Sequence, residues 1–210
     1  MKKGFTLVEL LATITILGLL GLIVGMGITS AIQGTRKDSA KTQKKNIIAS
    51  ARNWAADNIY TLPEEGNSIV ISLHDLLAEG FMEGDEDNQV VDAGNSETLS
   101  KLNTTVTIYN NNGDYEYTLD IQYGKDNVNL RAPVVILNGE SKMEVTGTFN
   151  DPGVYAYNYK GDELGSVTKQ IQDQNGAIVS SITTSGTYTV TYTVTDENGS
   201  TSIKRTVVVK

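Results

Sequence analysis

Residues 10–35 of this chain carry no charged side chain, and the residue immediately before them is Glu9. The 26 uncharged positions are rich in Leu, Ile, Val and Gly. They are long enough to span a hydrocarbon core of about 30 Å with some tilt. The run exceeds the roughly 7–15 apolar residues of a secretory signal, and no good small-x-small cleavage site follows it. A plain transmembrane anchor accounts for the run but not for Glu9. A carboxylate at membrane depth costs roughly 2.5–3.5 kcal/mol or more, so by default it marks a functional position.

The apolar pattern continues past the run at helical spacing through Ile47, Ala51, Trp54 and Ala55, and Pro63 follows as a stop. One helix is therefore expected over residues 5–58, about 80 Å at 1.5 Å per residue. Its membrane part lies at about residues 10–35. The outer half is amphipathic and needs a globular body against one face. Gly18, Gly21 and Gly25 form one stripe of the apolar half, with Gly21 and Gly25 in a small-xxx-small arrangement. Such stripes let helix backbones pack closely in lipid, although Gly is also common in membrane helices generally.

The stretch Lys2-Lys3-Gly4-Phe5-Thr6-Leu7-Val8-Glu9-Leu10-Leu11 closely resembles the class III signal of type IV prepilins and pseudopilins. The resemblance implies a leader of residues 1–4, cut between Gly4 and Phe5 by a prepilin peptidase/methyltransferase, and N-methylation of Phe5. It also implies single-pass insertion in the cytoplasmic membrane with the C-terminal region outside. Other pilin subunits, the pilus assembly machinery and membrane lipid are the partners it implies. Gly18 matches a Gly usual in the family helix, whereas Met26 stands where the family often has Pro. Cleavage would leave a cationic amine on Phe5, and the Glu9 carboxylate of an incoming copy would neutralise that amine on its neighbour during assembly. The alternative is a Glu9 at headgroup level that favours the helix dipole.

Composition narrows the remaining classes. The chain has no Cys, which excludes a disulfide framework and any thiolate site. Its formal charge of −8 argues against nucleic acid as a direct partner. The charge is unevenly spread. Six basic residues and the single acid Asp38 lie between Arg36 and Arg52, and eleven acids with no Lys or Arg lie between Asn53 and Ser100. A solvated basic helix beside an acidic domain is one reading; basic stems meeting acidic heads of neighbouring copies, in a salt-sensitive contact, is the other.

Residues 59–131 read as a small pseudopilin-like head. They begin irregularly, then give a short helix with Ser72 as N-cap and Gly80 as C-cap. His74, the only histidine, has no second imidazole or nucleophile near it in sequence and is not expected to act in catalysis or metal binding. The acidic loop Gly84–Asn88 lacks EF-hand spacing. Alternation on either side of Asn110–Asp114 predicts a hairpin, and residues 124–131 read as a polar linker. The order of long helix, short helix and hairpin loosely resembles pseudopilin heads.

From Ala132 the character is all-β. Strands are expected at 133–137, 142–149, 167–171, 177–182, 187–195 and 201–209, divided by Gly-containing turns. Ser185 to Val190 has the spacing of a tyrosine corner around Tyr188. Residues 132–210 resemble the Ig-like domain of bacterial surface proteins in four places: Ala132–Gly139, Asn150–Gly153, Gly186–Asp196 and Arg205–Val209. The expected class is thus α+β: a long transmembrane and amphipathic helix, a small α/β head, and an Ig-like β-sandwich. Asp151, Asp162 and Asp196 are expected to serve turns rather than an ion. No catalytic, cofactor or metal residue is assigned, and no enzyme activity is expected. The function expected is a minor type IV pilin-like subunit of a pilus or pseudopilus. The alternative is a membrane-anchored surface adhesin whose Ig-like domain contacts a ligand.

Overall fold

The computed structural model describes residues 6–210, and residues 18–30 by their backbone alone. The chain divides into two units, residues 1–43 with 93–95, and residues 44–92 with 96–210. Helix α1 runs Leu7–Asp57. In the first unit the Ala93 N–H donates to Gln43 Oε1 at 3.0 Å. Among the described residues no helix is long and apolar enough to cross a membrane. The expected membrane part, about residues 10–35, includes side chains that lie outside the described residues.

In the second unit the end of α1 buries Ile47, Ala51, Trp54 and Ala55, the four positions whose spacing indicated an inner face. They pack on Ile69, Ile71, Leu73, Leu76, Val134 and Ile136. Asn58 closes the helix, its backbone N–H and its side-chain amide both donating to Trp54 O at 2.9 and 3.0 Å. Strand β1 (Ser68–Ser72) and helix α2 (Leu73–Ala78) follow. Ser72 caps α2 in a capping box with Asp75, and Gly80 takes φ 79° just beyond the C-cap Glu79.

Strands β2 (Thr105–Asn111) and β3 (Asp114–Asp120) form the expected hairpin. Its two-residue turn places Asn112 and Gly113 at φ 54° and 91°, as a type I′ turn requires. After them come β4 (Val134–Asn138), β5 (Lys142–Val145), β6 (Val154–Tyr157), β7 (Val167–Gln172), β8 (Ile178–Val179), β9 (Gly186–Asp196) and β10 (Gly199–Val209). Strands β5 and β8 are shorter than the sequence suggests. Strands β1 and β6 are absent from the segments read as strands, and β6 is the shorter. It is four residues long, follows Pro152-Gly153 and has β4 as its strand partner, while Tyr157 bridges to Glu163 on its other edge.

The sequence reading separates a head ending at residue 131 from a sandwich beginning at 132. Backbone pairing runs across that boundary. One five-stranded sheet has the order β3-β2-β1-β4-β6, with Val70 opposite Leu137 in antiparallel register. The other has the order β5-β10-β9-β7-β8, in which β5 runs parallel to β10. Alternation along the shared strands builds two cores. Ile69, Ile71, Val134 and Ile136 face α1 and α2. Val70, Val135, Leu137 and Ala156 face Tyr188, Val190, Tyr192 and Val194 of β9.

The expected linker is also held. Asp126 accepts from Ser100 Oγ at 2.7 Å, Val128 O from Lys101 Nζ at 3.3 Å, and Asn129 O lies 3.2 Å from His74 Nε2. Because the first sheet is continuous, Leu137→Ala should do more than loosen the C-terminal strands. We expect a stability loss of about 2–5 kcal/mol by denaturant unfolding. Amide exchange should quicken in β1 and β2 as well as in β4, and a change confined to residues 132–210 would contradict the shared sheet.

Candidate functional site

The first turn of α1 is organised by two side chains. Thr6 precedes the helix, and both its backbone N–H and its hydroxyl donate to Glu9 Oε2, at 2.9 and 2.8 Å. Thr6 Oγ1 accepts from the Glu9 N–H at 3.3 Å in return. This reciprocal pattern is a capping box, and it places a negative group at the positive end of the helix dipole. Within the protomer the Glu9 carboxylate thus caps the start of its own helix. One carboxylate oxygen is used; Oε1 has no partner among the described residues.

The side chains around Glu9 are open among the described residues. Leu7 is 82 % exposed and Leu11 is 60 % exposed, with Leu10, Ile14 and Leu17 also open. Contiguous exposed apolar surface of this kind marks a protein or membrane contact. Gly4 and Phe5, expected to flank the cleavage, lie outside the described residues, and so do the surroundings of Gly18, Gly21 and Gly25.

A second polar constellation lies between the sheets, and composition alone did not reveal it. Arg205 of β10 is fully buried. Its Nε donates to Glu140 O at 3.1 Å, and Nη1 donates to Asp151 Oδ1 at 2.9 Å and to Tyr192 Oη at 3.1 Å. Nη2 donates to Asn138 O and to Gly153 O. Asp151 also accepts from Tyr192 Oη and from Lys169 Nζ, the latter at 3.0 Å. Burial lowers the pKa of Arg205, and it raises that of Tyr192 together with the adjacent Asp151. Partial burial alone would raise the Asp151 carboxyl. Hydrogen bonds from Tyr192, Gly153 N–H and Lys169 outweigh burial and hold it below its ordinary range.

The four motifs that resemble the Ig-like family thus converge on one guanidinium: the Asn138-Gly139 turn, the Asp151-Pro-Gly153 turn, Tyr192 and Arg205. Gly139 has φ 90°, and a Cβ there would approach Pro152 at 3.3 Å and Arg205 at 3.7 Å. The tyrosine corner forms through Tyr188 Oη donating to Thr184 O at 3.1 Å.

Asp162 and Asp196 sit in separate turns, accepting from Asn158 Nδ2 at 2.9 Å and from Asn198 N at 2.7 Å. Asp85 Oδ1 likewise accepts from the Asp87 and Gln89 N–H groups. Among the described residues no group of acidic or histidine side chains could hold a metal ion. His74 is fully buried, its ring between the Asp75 carboxylate and the Asn129 carbonyl.

Removing Arg205 takes the guanidinium donors away from Asp151, Tyr192 and the carbonyls of Asn138, Glu140 and Gly153, leaving Asp151 with Tyr192, Gly153 N–H and Lys169. Arg205→Ala should cost about 3–5 kcal/mol by denaturant unfolding. The depressed Asp151 pKa stabilises the fold fully above the unfolded value of about 3.9, and that contribution is lost as pH falls through the folded value. The slope of stability against pH below about 4 should flatten in Asp151→Asn, and an unchanged slope would contradict the assignment.

Two family models match the chain. The prokaryotic N-terminal methylation motif covers residues 1–25, and the bacterial surface protein Ig-like domain covers residues 135–209. Both are structural, non-enzymatic kinds. Comparison with curated proteins and with solved structures gives no match. The methylation motif implies processing by a prepilin peptidase and assembly with other pilins, and the pair suggests a membrane-anchored, surface-exposed protein. The chain carries the N-terminal signal of a type IV pilin-like processed subunit and, C-terminal to it, a bacterial surface Ig-like domain.

Proposed function

We propose that this protein is a minor type IV pilin-like subunit. It is cut between Gly4 and Phe5, methylated on Phe5 and assembled through its N-terminal helix into a pilus or pseudopilus that displays the Ig-like region. The observation that carries this reading is the methylation motif over residues 1–25 with Glu9 in the first turn of α1. Before assembly, residues from about 10 to 35 hold the subunit in the membrane as a single pass, with the C-terminal region outside. Gly18, Gly21 and Gly25 line the contact between packed helices.

The capping geometry supports a role for Glu9 in docking. Thr6 satisfies one oxygen, and Oε1 meets no partner among the described residues. The methylated amine of Phe5 on a neighbouring copy is the cation that Oε1 then meets. An incompletely paired carboxylate in hydrocarbon is penalised, so the penalty favours the docked state and sets the axial register. Minor status follows from crowding, since a large C-terminal region on every copy would compete for the surface of a tightly packed filament.

Protein purified from membranes should begin at N-methylated Phe5 and lack residues 1–4 by intact mass. Glu9→Val should still enter the membrane while its incorporation into filaments falls roughly tenfold or more. A mature chain that keeps Met1, or normal incorporation of Glu9→Val, removes this reading.

A further inference from the structure

Between Arg36 and Lys45, helix α1 presents Arg36, Lys37, Lys41, Lys44 and Lys45 to solvent. Lys37, Lys41 and Lys44 follow i, i+4, i+7 and lie along one side of the helix. Lys37/Lys41 and Lys41/Lys45 are like-charge pairs at i, i+4, which an isolated helix carries at a cost. Among the described residues none of the five joins an ion pair. An opposite charge supplied from outside would relieve that repulsion.

The same chain carries the complementary surface. A groove of about 690 Å³ lies between the segment after α1 and the turns flanking β5, lined in part by Tyr60, Glu64, Glu140, Glu144 and Tyr155. Every charged residue in its lining is a glutamate. Glu64 and Glu140 make no ion pair among the described residues, while Glu144 pairs with Lys210 at 2.5 Å. Tyr60 is 99 % exposed and Tyr155 is 38 % exposed, so both can offer a ring face to a cation. Ser68, also in the lining, is 2 % exposed, and its hydroxyl has no hydrogen-bond partner among the described residues. An acidic groove with open tyrosines is built for a basic occupant rather than for an anion or an apolar side chain.

We propose that this groove receives the Arg36–Lys45 face of a second copy of the chain. The contact is heterologous: each copy offers one basic face and one acidic groove, so it repeats from copy to copy without closing on itself. It rests on the reading of the chain as an assembling subunit and adds a lateral contact to the one made through Glu9. Its contribution is electrostatic, so it weakens as salt shortens the screening length to about 10 Å at 0.1 M and below that at higher concentration.

The absence of native cysteine makes the test direct, because thiol cross-links then report engineered positions alone. Two differently tagged full-length copies are produced together, one with Lys41→Cys and one with Glu140→Cys, and the membranes are treated with a short bis-maleimide. A mixed-tag adduct is expected, and it should be absent when the second copy instead carries Gln174→Cys on the turn between β7 and β8. Adding Lys37→Glu and Lys44→Glu to the first copy should lower the adduct by about fivefold or more. Adding Glu64→Lys and Glu144→Lys to the second should then restore it. The substituted side chains on both surfaces are exposed, so the fold should tolerate the changes.

Three outcomes would overturn the contact: no adduct, a yield indifferent to charge reversal, or a swap that fails to restore it. Loss of binding to anionic-lipid vesicles as the sole effect of the reversal would also overturn it, assigning the basic face to membrane headgroups. The N-terminal mass of the same sample keeps the two readings apart. No adduct among chains beginning at methylated Phe5 sinks the groove contact alone. An adduct among chains that keep Met1 sinks the processing reading and leaves the groove contact standing.

Discussion

The second unit of this protein depends on five residues, Ser68-Ile-Val-Ile-Ser72, that lie inside a sheet with both faces covered. All five are buried, and the strand is hydrogen-bonded to β2 on one side and to β4 on the other. Ile69 and Ile71 supply the core beneath α1 and α2, while Val70 supplies the core shared with the second sheet. Without this strand, the β2–β3 hairpin and the β4–β6 pair would be separate two-stranded ribbons. Such ribbons are marginal in water. Their joint stability therefore comes from a segment that belongs, by sequence order, to the part preceding the Ig-like match.

Electrostatics within the C-terminal region follow a different logic. A fully buried guanidinium is expensive to desolvate, and replacing a buried ion pair with apolar groups is often neutral or stabilising. What Arg205 provides is definition. Its donors meet Asp151, Tyr192 and the carbonyls of Asn138, Glu140 and Gly153, so two turns and two strands can assemble around it in one arrangement. Motifs that look like unrelated fragments along the chain are, in space, the coordination shell of one side chain.

Much of this was legible in the sequence, for physical reasons that can be named. The inner face of α1 was readable because Ile47, Ala51, Trp54 and Ala55 repeat at helical spacing. Strand β9 was readable because Tyr188, Val190, Tyr192 and Val194 alternate with threonines and point to one core. Strand β1 was not, because burial on both faces erases alternation and leaves a short apolar run with no period. Strand β6 escaped through its brevity and its Pro-Gly entry. The joining of head and sandwich was hidden for a related reason: the polar stretch 124–131 reads as a linker, although its carbonyls and Asp126 accept hydrogen bonds from Ser100 and Lys101. At the N-terminus, Glu9 was conspicuous by its charge, whereas its local satisfaction by Thr6 needed coordinates.

The pairing of β1 with β4 also bears on how such a protein can be rearranged over generations. A recombination event that exchanged everything after residue 131 for a foreign module would strip β1 of one neighbour and bare a strand edge beside Val70. The incoming piece would arrive without the strand its own first sheet needs. Inheritance is therefore constrained to keep both halves together, and their divergence should be correlated across the seam rather than free to drift as independent cassettes.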